Sequence, residues 1–264
     1  IEPRIREWVE ILHSRRVAAM SWYPLTLNRV AWATHPDWRQ AYLVPPPQGS
    51  VHRKLTCCFN SPYGEALIRF TVEAIRKFGL DGFWFDGSSL SPIWYPSRPS
   101  ISCVCRHCRA RFRRETGLEI PGRYDWRREE FRRWVQWRYD THAAYWQRLV
   151  DEVHKAEPRA AIVFNHYHRE DIGWNTAVPL APFGKGFVSG TEADYEPLKG
   201  AFYTRLMRAY GRPDTEVWMG MSRGRHAVAH GKSVVFSPRP LLDFAVACAT
   251  AGGHCSHGGA ELGV

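Results

Sequence analysis

Apolar positions along the chain alternate between two patterns. Residues 3–13 place Ile5, Trp8, Val9 and Leu12 on one face of a predicted helix. VAAMSWY, residues 17–23, follows as a strand with apolar residues on both faces. Residues 24–54 are Pro-rich and loop-like, with HPDW at 35–38. Residues 62–78 predict a helix with Pro62 in its first turn, and GFWFDG, 82–87, a short buried strand. A loop over 88–102 leads to two helices, 105–116 and 126–156. AAIVFNHY, 160–167, predicts the next strand and FVSGTEAD, 187–194, a weaker one. A helix at 196–209, a strand at 216–222, a helix at 238–249 and a last strand near 250–255 complete the pattern. Strands that are apolar on both faces and alternate with helices imply an α/β fold built on a parallel sheet. Periodicity does not separate a closed barrel from a doubly wound sheet. No G-x-G-x-x-G follows any strand, which counts against a dinucleotide-binding sheet.

Composition narrows the picture. The 264 residues, 44% hydrophobic, suffice for one sizeable core, and no repeat or linker divides them, so residues 1–264 are expected to form one domain. No apolar run is long enough to cross a membrane, and IEPRIREWVEIL has no signal-peptide pattern, so no membrane partner and a cytoplasmic location are expected. The first residue is not Met, so an upstream part is expected. The net charge is +10, with twelve arginines between Arg106 and Arg148 against six acidic residues. A solvated helical face accounts for this charge better than a nucleic-acid surface does. Aromatic residues make up 14% of the chain, with twelve Trp; flat rings serve sugar-binding clefts and large cores alike.

Four groups of residues carry candidate chemistry. In LDGFWFDG, alternation puts Gly82, Trp84 and Asp86 on one face, and barrel catalytic groups stand at the carboxyl ends of strands. Asp86 is therefore the leading catalytic candidate. In GTEADYE, Glu192 and Asp194 are candidates for the second carboxyl group that glycosidic chemistry needs. Asn165 and His166 in FNHYH, with Trp22, Tyr23 and Trp84, are candidate sugar contacts. Cys103, Cys105 and Cys108 form C-x-C-x2-C, with Cys57 and Cys58 upstream. Three thiolates so close can share one ion, and a fourth would close a tetrahedral zinc site.

The stretch from Cys58 to Phe112 resembles glycoside hydrolase family 42. There a cysteine before N-S-P is followed, some forty residues on, by C-x-C-x2-C and a basic helix. This chain has C-F-N-S-P at 58–62 and then CVCRHCRARF. The resemblance implies structural zinc held by Cys58, Cys103, Cys105 and Cys108, with a zinc-binding insertion around 88–125. DGFWFDG resembles the nucleophile strand of family 29 α-L-fucosidases, and HPDW, CFNSPY, DGFWFDG and CxCxxC together resemble a hypothetical glycosyl hydrolase group related to both. These resemblances imply a (β/α)8 TIM barrel lacking its first two strands and ending near strand eight. They further imply a retaining glycoside hydrolase, α-L-fucosidase-like or β-galactosidase-like, with Asp86 as nucleophile and Glu192 as general acid/base. The expected partner is a carbohydrate substrate, not nucleic acid, and a homo-oligomer is compatible with the sequence. A degenerate barrel that binds sugar without cleaving it is the first alternative; a zinc-dependent nucleic-acid module is the second.

Overall fold

The computed structural model describes residues 2–45, 48, 55–86, 101–165, 188–192, 197–210, 216–221, 224–227, 232–235 and 238–257. In chain order the elements are α1 (Glu2–Ser14), β1 (Met20–Pro24), α2 (Arg29–Thr34), a 3-10 turn (Pro36–Trp38), β2 (Tyr42–Val44), α3 (Pro62–Phe78), β3 (Gly82–Asp86), β4 (Ile101–Ser102), α4 (Arg106–Thr116) and α5 (Glu129–Ala156). Then come β5 (Ala161–Asn165), β6 (Val188–Glu192), α6 (Pro197–Tyr210), β7 (Glu216–Met221), β8 (Gly224–Ala227), β9 (Lys232–Val235), α7 (Pro238–Thr250) and β10 (His254–His257).

Local sequence explains the best-defined of these. The Ser61 hydroxyl accepts a hydrogen bond from the Tyr63 amide, Pro62 opens α3, and Gly79 ends it at φ 69°, a left-handed conformation that costs glycine little. Gly64 lets α5 approach α3: a Cβ there would stand 2.2 Å from the Phe59 carbonyl oxygen and 3.0 Å from the Tyr145 ring. The structure departs from expectation in three places. Residues 24–54 are not all loop, since they hold α2, the 3-10 turn and β2; the Asn28 side chain caps α2 by accepting from the Ala31 amide. The hairpin β8–β9 was not expected either. The last strand starts at His254, because residues near 250–253 finish α7 and turn at Gly252, φ 85°.

Six strands form one parallel sheet in the order β1-β3-β5-β6-β7-β10. Among the described residues β1 and β10 are its two edges, so the eight-stranded ring is not present as such. β2 and β4 make a separate antiparallel pair beside it. One face of the sheet is covered by helices. Phe83, Phe85 and Phe164 are fully buried there, with Phe70 of α3 edge-on to Phe83 and Trp146 of α5 stacked on Phe164 at 4.0 Å. Burying each such ring stabilises the fold by about 1.5 to 3 kcal/mol. The opposite face therefore presents Trp84 and Asp86, as alternation requires.

Candidate active site and metal centre

Asp86 ends β3, an interior strand, at the carboxyl end of the sheet. Its Oδ1 accepts a hydrogen bond from Asn165 Nδ2 at 3.1 Å. Asn165 ends the neighbouring strand β5 and is almost fully buried, so its amide is a fixed donor rather than a mobile surface group. The backbone carbonyl of Asp86 accepts from the Leu25 amide at 2.7 Å, which holds the strand end against β1.

Register defines what else shares this face. Trp22 pairs with Trp84 across β1 and β3, and the Trp22 ring is 58% exposed. Tyr23, by contrast, pairs with Phe85 and lies on the helical side, its ring 5.0 Å from that of Phe70 and its hydroxyl accepting from Asn28 Nδ2. Asn165 pairs with Gly190, and Gly190 with Trp218, so Trp218 occupies the Asn165 level two strands away. The sequence reading missed Trp218. Strand alternation in EVWMGMS, with Val217 buried on the other face, carried the information. Glu192 pairs with Gly220, one alternation step beyond that level. The Glu192 side chain, Asp194 and His166 lie outside the described residues.

The second group is built from three segments. Cys58 lies just before α3, Cys103 and Cys105 follow β4, and Cys108 lies in the first turn of α4. All four are buried, and their sulfurs lie within 4.8 Å of one another, with Cys58 Sγ and Cys108 Sγ 3.5 Å apart. A tetrahedral ion with Zn–S bonds of about 2.3 Å needs sulfurs about 3.8 Å apart, so small shifts of the side chains close the shell. The donor set fits zinc: four soft ligands, no carboxylate, no water-exposed position. The Ala41 amide donates to Cys103 Sγ at 3.4 Å and Asn60 Nδ2 to Cys108 Sγ at 3.3 Å, orienting the ligands as second-layer donors do. Asn60 is itself held through Oδ1 by Arg111 Nη1 at 2.7 Å and Thr141 Oγ1 at 3.2 Å.

The buried thiols interact strongly with one another. Sulfhydryl donors from Cys103, Cys108 and Cys58 hold the Cys105 thiol far below its ordinary range. Burial and the neighbouring thiols push Cys58 well up, and the hydrogen bonds with Cys103 and Cys105 do the same to Cys108. Cys57 stands apart: its thiol points at the Asn28 carbonyl, and burial pushes it up to about 12.

No family model matches the sequence, and comparison with curated proteins finds no relative. Solved structures do match. An α-L-fucosidase isoenzyme 2 from Paenibacillus thiaminolyticus aligns at 18% identity and a TM-score of 0.54, covering 95% of this chain and 35% of that one. A β-galactosidase from the haloarchaeon Halorubrum lacusprofundi aligns at 14% and 0.66, covering 97% and 44%. A β-galactosidase from Bacillus circulans sp. alkalophilus aligns at 12% and 0.64, covering 97% and 42%. At these identities the likeness is one of fold. The chain has a glycosidase-like α/β fold and spans about two fifths of the length of these enzymes. No described helix is long and apolar enough to cross a membrane.

Proposed function

We propose that the chain is the part of a TIM-barrel glycoside hydrolase that carries its nucleophile, and that the reaction proceeds with retention. The observation that carries this reading is Asp86, at the carboxyl end of an interior parallel strand, fixed by Asn165 on the face away from the helices. In the first step the Asp86 carboxylate attacks the anomeric carbon as the glycosidic C–O bond breaks. The Glu192 carboxylic acid gives its proton to the departing oxygen, leaving a glycosyl ester on Asp86. In the second step Glu192 takes a proton from water, the water oxygen attacks the anomeric carbon, and Asp86 leaves as carboxylate. Asp194 is the alternative second carboxyl group. Asn165 holds the Asp86 carboxylate in a fixed orientation through one oxygen. Trp22, Trp84 and Trp218 supply flat surfaces for the apolar face of a sugar ring, and His166 a further hydrogen-bonding group. Zinc held by Cys58, Cys103, Cys105 and Cys108 would supply structure alone, because four thiolates complete its shell.

The test is a screen of aryl glycosides, led by α-L-fucosides and β-D-galactosides. Turnover of one, abolished in Asp86→Asn with the thermal midpoint unchanged, is the expected result. A fully active Asp86→Asn variant overturns the reading. Sugar binding without turnover in the unaltered chain would instead identify a binding barrel.

A further inference from the structure

Arg138 lies near the middle of α5, within the buried stripe that also holds Trp134, Thr141 and Tyr145. It is only 3% exposed, and its Nε and Nη1 have no hydrogen-bond partner among the described residues. Its guanidinium lies over the Trp134 ring at 5.4 Å, and no carboxylate pairs with it among the described residues. A guanidinium stays charged in proteins, and an uncompensated buried charge is among the costliest features a fold can carry. A ring face offsets little of that cost.

The four-cysteine centre is the candidate partner. Arg138 and Thr141 are three residues apart on α5 and so share a face. Thr141 contacts Asn60, and Asn60 donates to Cys108. The α5 face that carries Arg138 is therefore the face that meets a residue orienting the sulfurs. Burial draws its pKa down to about 10, while Tyr139, Cys103 and Cys108 act electrostatically in the other direction. Four thiolates around a divalent ion leave two negative charges over, buried in the same region. Each group thus has an excess that the other can neutralise.

We propose that Arg138 is the internal counter-ion of the metal-loaded centre, a positioning residue that acts on the ion through the charge of its sulfur ligands. The proposal rests on the reading that the four cysteines hold a divalent metal. It has a consequence of opposite sign in the two states. Without metal the guanidinium has no anionic partner among the described residues, so neutralising it is expected to leave the protein as stable or make it more so. With metal the same change removes the counter-charge and weakens the centre.

The experiment compares the full 264-residue chain with its Arg138→Gln and Arg138→Lys variants, using zinc as the probe. Zinc affinity is read by chelator competition, and thermal midpoints are measured with and without zinc. Arg138→Gln is expected to lose about 10- to 100-fold in affinity, the usual effect of removing a group behind the ligands, and to shrink the zinc-induced rise in midpoint. Arg138→Lys, which keeps the charge and loses the planar fork, is expected to retain most of the affinity. Wild-type affinity in Arg138→Gln overturns the proposal. So does an Arg138→Lys variant as weak as Arg138→Gln, because shape and not charge would then matter; this variant decides alone if Arg138→Gln does not fold. A wild-type chain that takes up no zinc overturns the metal reading itself, which is visible before any variant is made.

Discussion

Asn165 turns Asp86 from one carboxylate among many into a directed one. Its amide donates to Asp86 Oδ1, and its own burial prevents it from turning to water instead. Hydrogen bonds to charged groups contribute about 1.5 to 3 kcal/mol, so Asn165→Ala should lower kcat/KM on whichever aryl glycoside proves to be a substrate by about 10- to 100-fold. The variant should keep its fold, since the cavity lies at a strand end. An unchanged kcat/KM would place Asp86 outside the chemistry. At this scale the sequence was informative where a residue's position follows from strand parity: Asp86, Trp84 and Trp22 share a face as alternation requires. Tyr23 follows the same rule in the other direction, one residue on from Trp22 and turned toward Phe70. Arg138 belongs to the arginines read as solvated and is buried instead; its place in an apolar stripe spaced by three and four is the signal that reading passes over. What that charge answers to depends on a contact between α5 and Asn60, and no spacing rule reports such a contact.

Single elements are legible in proportion to the local chemistry at their ends. Helix α3 has Ser61, Pro62 and Gly79 to mark its limits, and it spans the predicted residues. Helix α2 is six residues long, too short for a periodic stripe, and only the Asn28 cap marks it. Strand β4 is two residues long and exists through its pairing with β2, a non-local partner. The joint between α1, β1 and β3 depends on Asp81, whose Oδ2 accepts from the Ala19 amide at 2.6 Å and from His13 Nε2 at 2.8 Å. Burial pushes the Asp81 pKa up, but these two hydrogen bonds outweigh it and hold the carboxyl below its ordinary range. A lowered folded-state pKa contributes stability that is complete above the unfolded value of about 3.9 and lost as pH falls through the folded one. The half-exposed Asp81→Asn variant should thus be less stable at neutral pH by about 0.5 to 1 kcal/mol. That difference should vanish in unfolding curves taken progressively below pH ~4. A difference that persists at acid pH would mean shape, not charge, holds the joint. The four-cysteine cluster joins elements in the same sense, bringing the start of α3 to β4 and α4. Stripping metal with a chelator should expose residues 101–116 to protease before the six-stranded sheet, and returning zinc should restore protection. Equal cleavage with and without metal would deny the centre its structural role.

At the scale of the molecule, the six-stranded sheet has β1 and β10 as its edges, and β1 pairs with β3 alone among the described residues. A ring of the (β/α)8 kind needs eight strands, so we propose that two more lie between β10 and β1 in the complete barrel. Trp22, on the open strand, is 58% exposed although it belongs to the same register as Trp84. Exposed edges carry unpaired amides, and hydrogen exchange reads them directly. In a parallel sheet, successive residues of a strand direct their amides to opposite neighbours. In the 264-residue chain, β3, paired on both sides, should therefore exchange slowly throughout Gly82–Asp86. In Met20–Pro24 only alternate amides should be slow, those bonded to β3. Supplying the two proposed strands, on the same chain or as a separate segment, should slow the other amides of β1 and bury Trp22, with a blue shift of its fluorescence. It should also raise the unfolding midpoint, because an edge that any chain could pair with becomes an interior strand. Uniform protection of β1 and β3 in the 264-residue chain alone would show that β1 already has a second neighbour. The two-strand gap, and with it the incomplete-barrel reading, would then be wrong.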